Sequence, residues 1–214
     1  MKHFIKPLMS LALLLVAGIA LAQPALYVAG THYEVLAKPV RTADPNKVEV
    51  MEVFWYGCPH CYEFEPLLAS WIEKLPSDVA FVRSHAVWDA TTKFHSQILA
   101  TEQALGSFDK THQAAFDAIH KQHNRLLDQA AVRDLFASKG ISAADFDKAW
   151  TSFAVANSVK QYEARMKDYG VDSVPTMLVN GKYKILTGEA VPSHAAMLKV
   201  IDFLVAKERV SAKH

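Results

Sequence analysis

The sequence predicts an α/β layer domain interrupted by an all-helical insertion. Strand-like segments fall at residues 47–54 and 79–83 and return only after residue 175. Between them, residues 91–169 follow helical spacing throughout. The order is therefore β-α-β, a helical block, then β-β-α, which is one layered domain with helices inserted in it.

Each element has a local reason. Residues 47–54 (KVEVMEVF) are valine-rich and follow Asp44-Pro45, which marks a central strand. Pro59 suits the first turn of a helix because it has no N–H to leave unsatisfied. Cys61, Phe64, Leu68, Trp71 or Ile72, and Leu75 then recur at helical spacing, with a kink expected at Pro66 and an end at Pro76. In the helical block, Phe94, Ile98 and Leu105 mark one helix and Phe116 and Ile119 a second. Asp128 caps a third, carrying Val132, Leu135 and Phe136 and stopping at Gly140. Ser142 with Asp145 forms a capping box before Phe146, Trp150 and Phe153. A longer helix carries Val155, Val159, Tyr162, Met166 and Tyr169 and ends at Gly170. Residues 176–179 and 182–185 flank Asn180-Gly181, a hairpin signal. A last helix over 193–208 presents Met197, Val200, Ile201 and Leu204.

The N-terminus reads as an export signal. Lys2 and Lys6 precede an apolar run over 8–22, and Ala20-Leu21-Ala22 has the small-x-small pattern of a cleavage site. The run falls short of the roughly 20 apolar residues that span a bilayer. Expected are a signal peptide over 1–22 and an exported mature chain from Gln23. With 23 basic and 22 acidic residues the net charge is +1, so nothing draws the chain to nucleic acid. The chain holds two cysteines, too few for a disulfide framework, and is long enough to bury a core without one.

Those two cysteines stand together in FWYGCPHCY, at the turn from the first strand into the first helix. A thiolate attacks a disulfide, so a redox cysteine must be kept deprotonated. The free N–H groups and positive dipole end of a helix start favour an anion, and Cys58 sits there, before Pro59. His60 can add a donor or a positive charge. Cys61 lies one turn in, faces the core and is placed to resolve a mixed disulfide at Cys58. Half a zinc site would need two more ligands; no second C-x-x-C exists, and His120 with His123 is a weak pair. No metal and no cofactor are expected.

Glu52 shares strand parity with Val48, Val50 and Phe54, so alternation puts it on an apolar face. It is either a paired acid or a buried proton acceptor near Cys61, since a lone buried carboxylate costs several kcal/mol. Val174-Pro175 opens a later strand; only about 5–6% of such bonds are cis, and the residues alone leave it trans.

FWYGCPHCYEFEP, the helical insertion and VPTMLVNGKY, in this order along the chain, resemble the DsbA family of periplasmic thiol-disulfide oxidoreductases. The resemblance implies a thioredoxin-like fold over 23–89 and 163–214 with a helical insertion over 90–162. It implies Cys58 as nucleophile and Cys61 as resolving cysteine, with Pro59 and His60 between them, and Pro175 as a cis-proline facing the disulfide. Val174 would offer its backbone to an extended substrate. Glu52 falls at the family's buried acid, Glu65 at a second acid nearby, and Arg83 at a charge partner. The implied activity is donation of the Cys58–Cys61 disulfide to newly exported proteins, with reoxidation by a membrane partner of the DsbB type linked to quinone. A monomer is expected. The rival functions are a disulfide isomerase or reductase, a metal carrier, or a chaperone for unfolded chains.

Overall fold

The computed structural model describes residues 26–211; the expected signal segment lies outside them. A five-stranded sheet has the order β1-β5-β4-β2-β3, with β1 Glu34–Val35, β2 Val48–Phe54, β3 Val79–His85, β4 Thr176–Val179 and β5 Tyr183–Ile185. β2 pairs parallel with β3 and antiparallel with β4, so it has neighbours on both sides and no exposed residue. The parallel pair is joined through helix α1, Pro59–Ile72.

Helices cover both faces of the sheet. On one, Phe64 and Leu68 of α1 and Val200, Ile201 and Leu204 of α7 (His194–Ser211) pack on Val50, Met177 and Val179. On the other, Met166 and Tyr169 of α6 (Phe153–Tyr169) pack on Met51, Val53 and Leu178. Between β3 and β4 run α2 (Ala90–Leu105), α3 (Phe108–His120), α4 (Gln129–Ser138), α5 (Ala143–Trp150) and α6. Their shared core holds Ile98, Phe116, Phe136, Phe146 and Tyr162, and it is continuous with Phe54, Tyr56, Cys58 and Cys61. The cysteine turn is thus packed into the core of the helical block.

The caps follow the sequence. Asp89 and Thr92 close a reciprocal capping box on α2, and Asp128 accepts from the Ala131 N–H at the start of α4. Ser142 accepts from the Asp145 N–H to open α5, and Gly170 ends α6 in the left-handed region. Three expectations differ. α1 ends at Ile72, ahead of Pro76, and carries Pro66 inside it. Phe153, grouped by spacing with the α5 stripe, opens α6 instead and is 84% exposed. Ser152 causes this by capping α6 on the Val155 N–H, which breaks the stripe after Trp150. The break expected between residues 162 and 163 falls inside α6, one continuous helix.

The hairpin between β4 and β5 turns at Asn180 and Gly181, with φ of 51° and 65°, as this turn type requires. A Cβ on Gly181 would also run into the Val40 carbonyl, whose residue bonds back through its N–H to Gly181 O at 2.8 Å. Gly181→Ala is therefore expected to destabilise the fold by at least about 1–2 kcal/mol, the usual cost of left-handed backbone for a residue with a Cβ. Denaturant unfolding should show a lower midpoint at unchanged slope; an unmoved midpoint would mean that the turn relaxes freely.

Candidate active site

β2 ends at Phe54, and the turn Trp55–Tyr56–Gly57 carries the chain into α1 with Cys58 as N-cap. The cap is made by sulfur: the Cys61 N–H donates to Cys58 Sγ at 3.3 Å. Cys58 Sγ also lies 3.5 Å from the carbonyl of Val174, which joins Pro175 through a cis peptide bond. Two segments more than a hundred residues apart in sequence therefore meet at one sulfur. Cys58 keeps 6% of its surface exposed, whereas Cys61 has none.

The surroundings drive the two thiols apart. Cys58 is pulled from 9.0 down to about 7, chiefly by its hydrogen bond with Cys61, against burial, with help from the backbone N–H groups of Cys61 and His60 and the His60 charge. Burial pushes the Cys61 thiol well up, and Cys58 and the Glu52 carboxylate add to it. The His60 ring itself stands largely in solvent, 3.3 Å from Glu63. Pro59 opens α1, where its lack of an N–H leaves nothing unpaired.

Under Cys61 lies a buried polar cluster. Glu52 is fully buried and accepts from Arg83 Nε at 2.9 Å, while Arg83 Nη2 donates to Glu65 at 2.9 Å. Burial pushes the Glu52 carboxyl up to about 8; Arg83 opposes this and Glu65 adds to it. Glu65 is raised for the same first reason. Burial works against the Arg83 charge too, but the two carboxylates outweigh it and hold the guanidinium charged. Arg83 stacks 4.9 Å from the Phe108 ring of α3. The three residues implied by the resemblance are thus brought together in one ion cluster.

Sequence reasoning missed the far half of that cluster. The Tyr56 hydroxyl donates to Glu102 of α2 at 2.6 Å and lies 2.8 Å from Nδ1 of His112 of α3. His112 Nε2 faces Glu65 at 3.3 Å. A signal existed: Glu102 lies on the Ile98–Leu105 stripe and His112 on the Phe108–Phe116 stripe, polar residues at apolar positions. The turn is clamped as well. The Trp55 indole N–H donates to His95 at 2.9 Å, and His120 donates to the Tyr56 carbonyl at 2.8 Å while stacking on Tyr62. His120 and His123 gather no further ligands; among the described residues no group of three or more metal-binding side chains exists.

A family model described as a DSBA-like thioredoxin domain matches residues 78–196. The thiol:disulfide interchange protein DsbA of Pseudomonas aeruginosa is 42% identical over 192 residues, 90% of each chain. The protein of that name from Pseudomonas syringae pv. tomato is 45% identical over 184 residues, 86% of each. The crystal structure of Pseudomonas aeruginosa DsbA superposes with a TM-score of 0.84 at 41% identity, covering 88% of this chain and 97% of that one. With a cysteine pair at a helix start and this fold around it, the chain belongs to the DsbA family and is a thiol-disulfide oxidoreductase of thioredoxin-like fold.

Proposed function

We propose that the chain oxidises paired thiols of newly exported, unfolded proteins in the periplasm and is itself reoxidised by a membrane partner of the DsbB type that passes the electrons to quinone. The observation that carries this reading is the asymmetry of the pair. One sulfur is reachable, capped by N–H groups and beside the Val174 carbonyl; the other is enclosed. Export rests on the signal segment; among the described residues no helix is long and apolar enough to cross a membrane.

In the forward reaction a substrate thiolate attacks Cys58 Sγ of the oxidised pair. The Cys58–Cys61 bond breaks, a mixed disulfide forms at Cys58, and Cys61 leaves as a thiolate that takes a proton. The second substrate thiolate then attacks its own sulfur in the mixed disulfide and releases Cys58 as the thiolate. Two electrons have moved from substrate to enzyme. A low Cys58 pKa makes it the better leaving group, which drives oxidation of the substrate. Val174 and Pro175 hold the substrate segment as an added extended strand beside Cys58. In reoxidation the Cys58 thiolate attacks the partner's disulfide, and Cys61, losing its proton to Glu52, resolves the adduct. Glu52, up at about 8, can both give and take that proton near neutral pH.

Cys61→Ala should accumulate covalent complexes through Cys58 on non-reducing gels, and Cys58→Ala none. Equal trapping by both would reverse the assignment. Glu52→Gln should slow reoxidation and remove the step in its pH–rate profile near 8, with the fold retained. Identical profiles would leave Glu52 a structural acid. Stability gives a third check. The lowered Cys58 pKa stabilises the reduced fold above the unfolded value of 9.0, and this is lost as pH falls through about 7. Relative to the oxidised form, the reduced form should thus gain stability between about pH 6 and pH 8.5 in denaturant titrations. A flat difference would deny the thiolate.

A further inference from the structure

The cluster beneath the cysteines contains one unsolved problem of proton placement. Its acids are Glu52 on β2, Glu65 on α1 and Glu102 on α2, and one guanidinium, Arg83 on β3, serves the first two. Among the polar atoms without a hydrogen bond are Glu65 Oε1 and His112 Nε2, which face each other at 3.3 Å but off the hydrogen-bond line, and Glu102 Oε1. Buried polar atoms are nearly always paired, so the two facing atoms call for a proton between them.

Only two arrangements satisfy the chain of contacts with a neutral imidazole. In the first, the Tyr56 O–H donates to Glu102, so its oxygen accepts from His112 Nδ1–H. His112 Nε2 is then a bare lone pair, and Glu65 must carry the proton that meets it. In the second, Glu102 carries the proton and donates to Tyr56, Tyr56 donates to Nδ1, and Nε2–H meets a Glu65 carboxylate. The arrangements differ by one proton, held at Glu65 or at Glu102. Every link lies within 3.3 Å: Glu65 to Nε2, Nδ1 to Tyr56 at 2.8 Å, Tyr56 to Glu102 at 2.6 Å.

We infer that His112 and Tyr56 form a proton wire between Glu65 and Glu102, and that one shared proton crosses it as Glu52 gains or loses its own, so that Arg83 always faces one carboxylate. The step balances without oxidant or reductant. The Glu65 O–H bond breaks as Nε2–H forms, Nδ1–H breaks as a new Tyr56 O–H forms, and the former Tyr56 proton forms O–H on Glu102. Glu65 becomes the anion beside Arg83 at the moment Glu52 turns neutral. The use of the wire in catalysis rests on Glu52 exchanging a proton with Cys61.

The neighbouring charges allow this. His112 is held down at about 4, first by burial, so it relays a proton without storing one as imidazolium. Burial lifts the Tyr56 hydroxyl well above its ordinary value, so it too passes a proton without ionising. His85 of β3, beside Tyr56, is neutral, pushed down to about 3 by burial. Tyr162 of α6 senses Glu102 but donates its own hydroxyl hydrogen bond to Gln103 Oε1 at 2.6 Å. None of these supplies a competing charge.

The test is a carboxyl carbon NMR titration of the reduced mature protein labelled at the glutamate side-chain carbon, with signals assigned by Glu52→Gln, Glu65→Gln and Glu102→Gln. As pH rises through the Glu52 midpoint, near 8, Glu65 should move in the protonating direction, opposite to any ordinary acid. Tyr56→Phe retains every charge but cuts the wire, so the reversed Glu65 step should vanish while Glu52 still titrates. Glu102→Gln should abolish the step too, because an amide accepts the Tyr56 bond but no proton; this covers a Tyr56→Phe chain that fails to fold. A Glu65 signal that stays flat or moves in the ordinary sense overturns the inference, as does a reversed step that survives these variants. The readout is independent of turnover, so a normal reoxidation rate in Glu52→Gln would remove the wire's use in catalysis while leaving the titration to decide whether the wire exists.

Discussion

A strand with no exposed residue cannot carry a carboxylate unless its neighbours complete it. β2 is such a strand and Glu52 is such a carboxylate. The rest of the site follows outward from that constraint. Glu52 requires a cation, and Arg83 on the adjacent parallel strand, directly opposite in register, supplies it. Arg83 has donors left over, and Glu65 from α1 takes one. Glu65 then presents its free oxygen to His112, and His112 passes the requirement to Tyr56 and Glu102. Arginine suits the position in a way lysine would not. Its planar fork reaches two carboxylates from Nε and Nη2 while its face lies on Phe108.

The same burial separates the two cysteines. They are three residues apart on one helix turn, yet one is the N-cap and the other is enclosed in the core. The cap position collects a hydrogen bond with Cys61 and backbone N–H donors and lowers one thiol; the interior position loses its hydration shell, faces Cys58 and the Glu52 charge, and raises the other. Geometry thus sets one reachable sulfur with a lowered pKa apart from one enclosed sulfur with a raised pKa.

What was legible in the sequence is what local chemistry determines. Cys58-Pro59-His60-Cys61 at a strand-to-helix turn, the run of helices over 91–169 with its Asp128 and Ser142 caps and its end at Gly170, and the Asn180-Gly181 turn each depend on a few adjacent residues. Glu52 was legible as a question, through strand parity, and its answer came only with the register that sets Arg83 beside it. The cis bond at Pro175 was implied by resemblance and by nothing in the residues themselves. Glu102, His112 and Tyr56 were legible only as misplaced polar groups, because their meaning depends on how α2 and α3 pack against the turn. Phe153 misled for the opposite reason: its spacing continued an apolar stripe that Ser152 had already ended.

The helical insertion therefore does more than roof the sulfur. His95 of α2 holds the Trp55 ring, His120 of α3 holds the Tyr56 carbonyl, and Phe116 packs against Tyr56 itself. Gly57 lies so close to the Trp55 indole that a Cβ there would collide with it. Trp55 and Tyr56, which lead into Cys58, are held from the insertion side, while the N–H on its sulfur comes from Cys61 of α1 and the nearby carbonyl from Val174, just ahead of β4. A sulfur held in this way has its N–H contact in place before any anion forms, so the contact stabilises an anion there without reorganising around it. That is the physical reason a helical block inserted between β3 and β4 belongs to the chemistry of a turn at the end of β2.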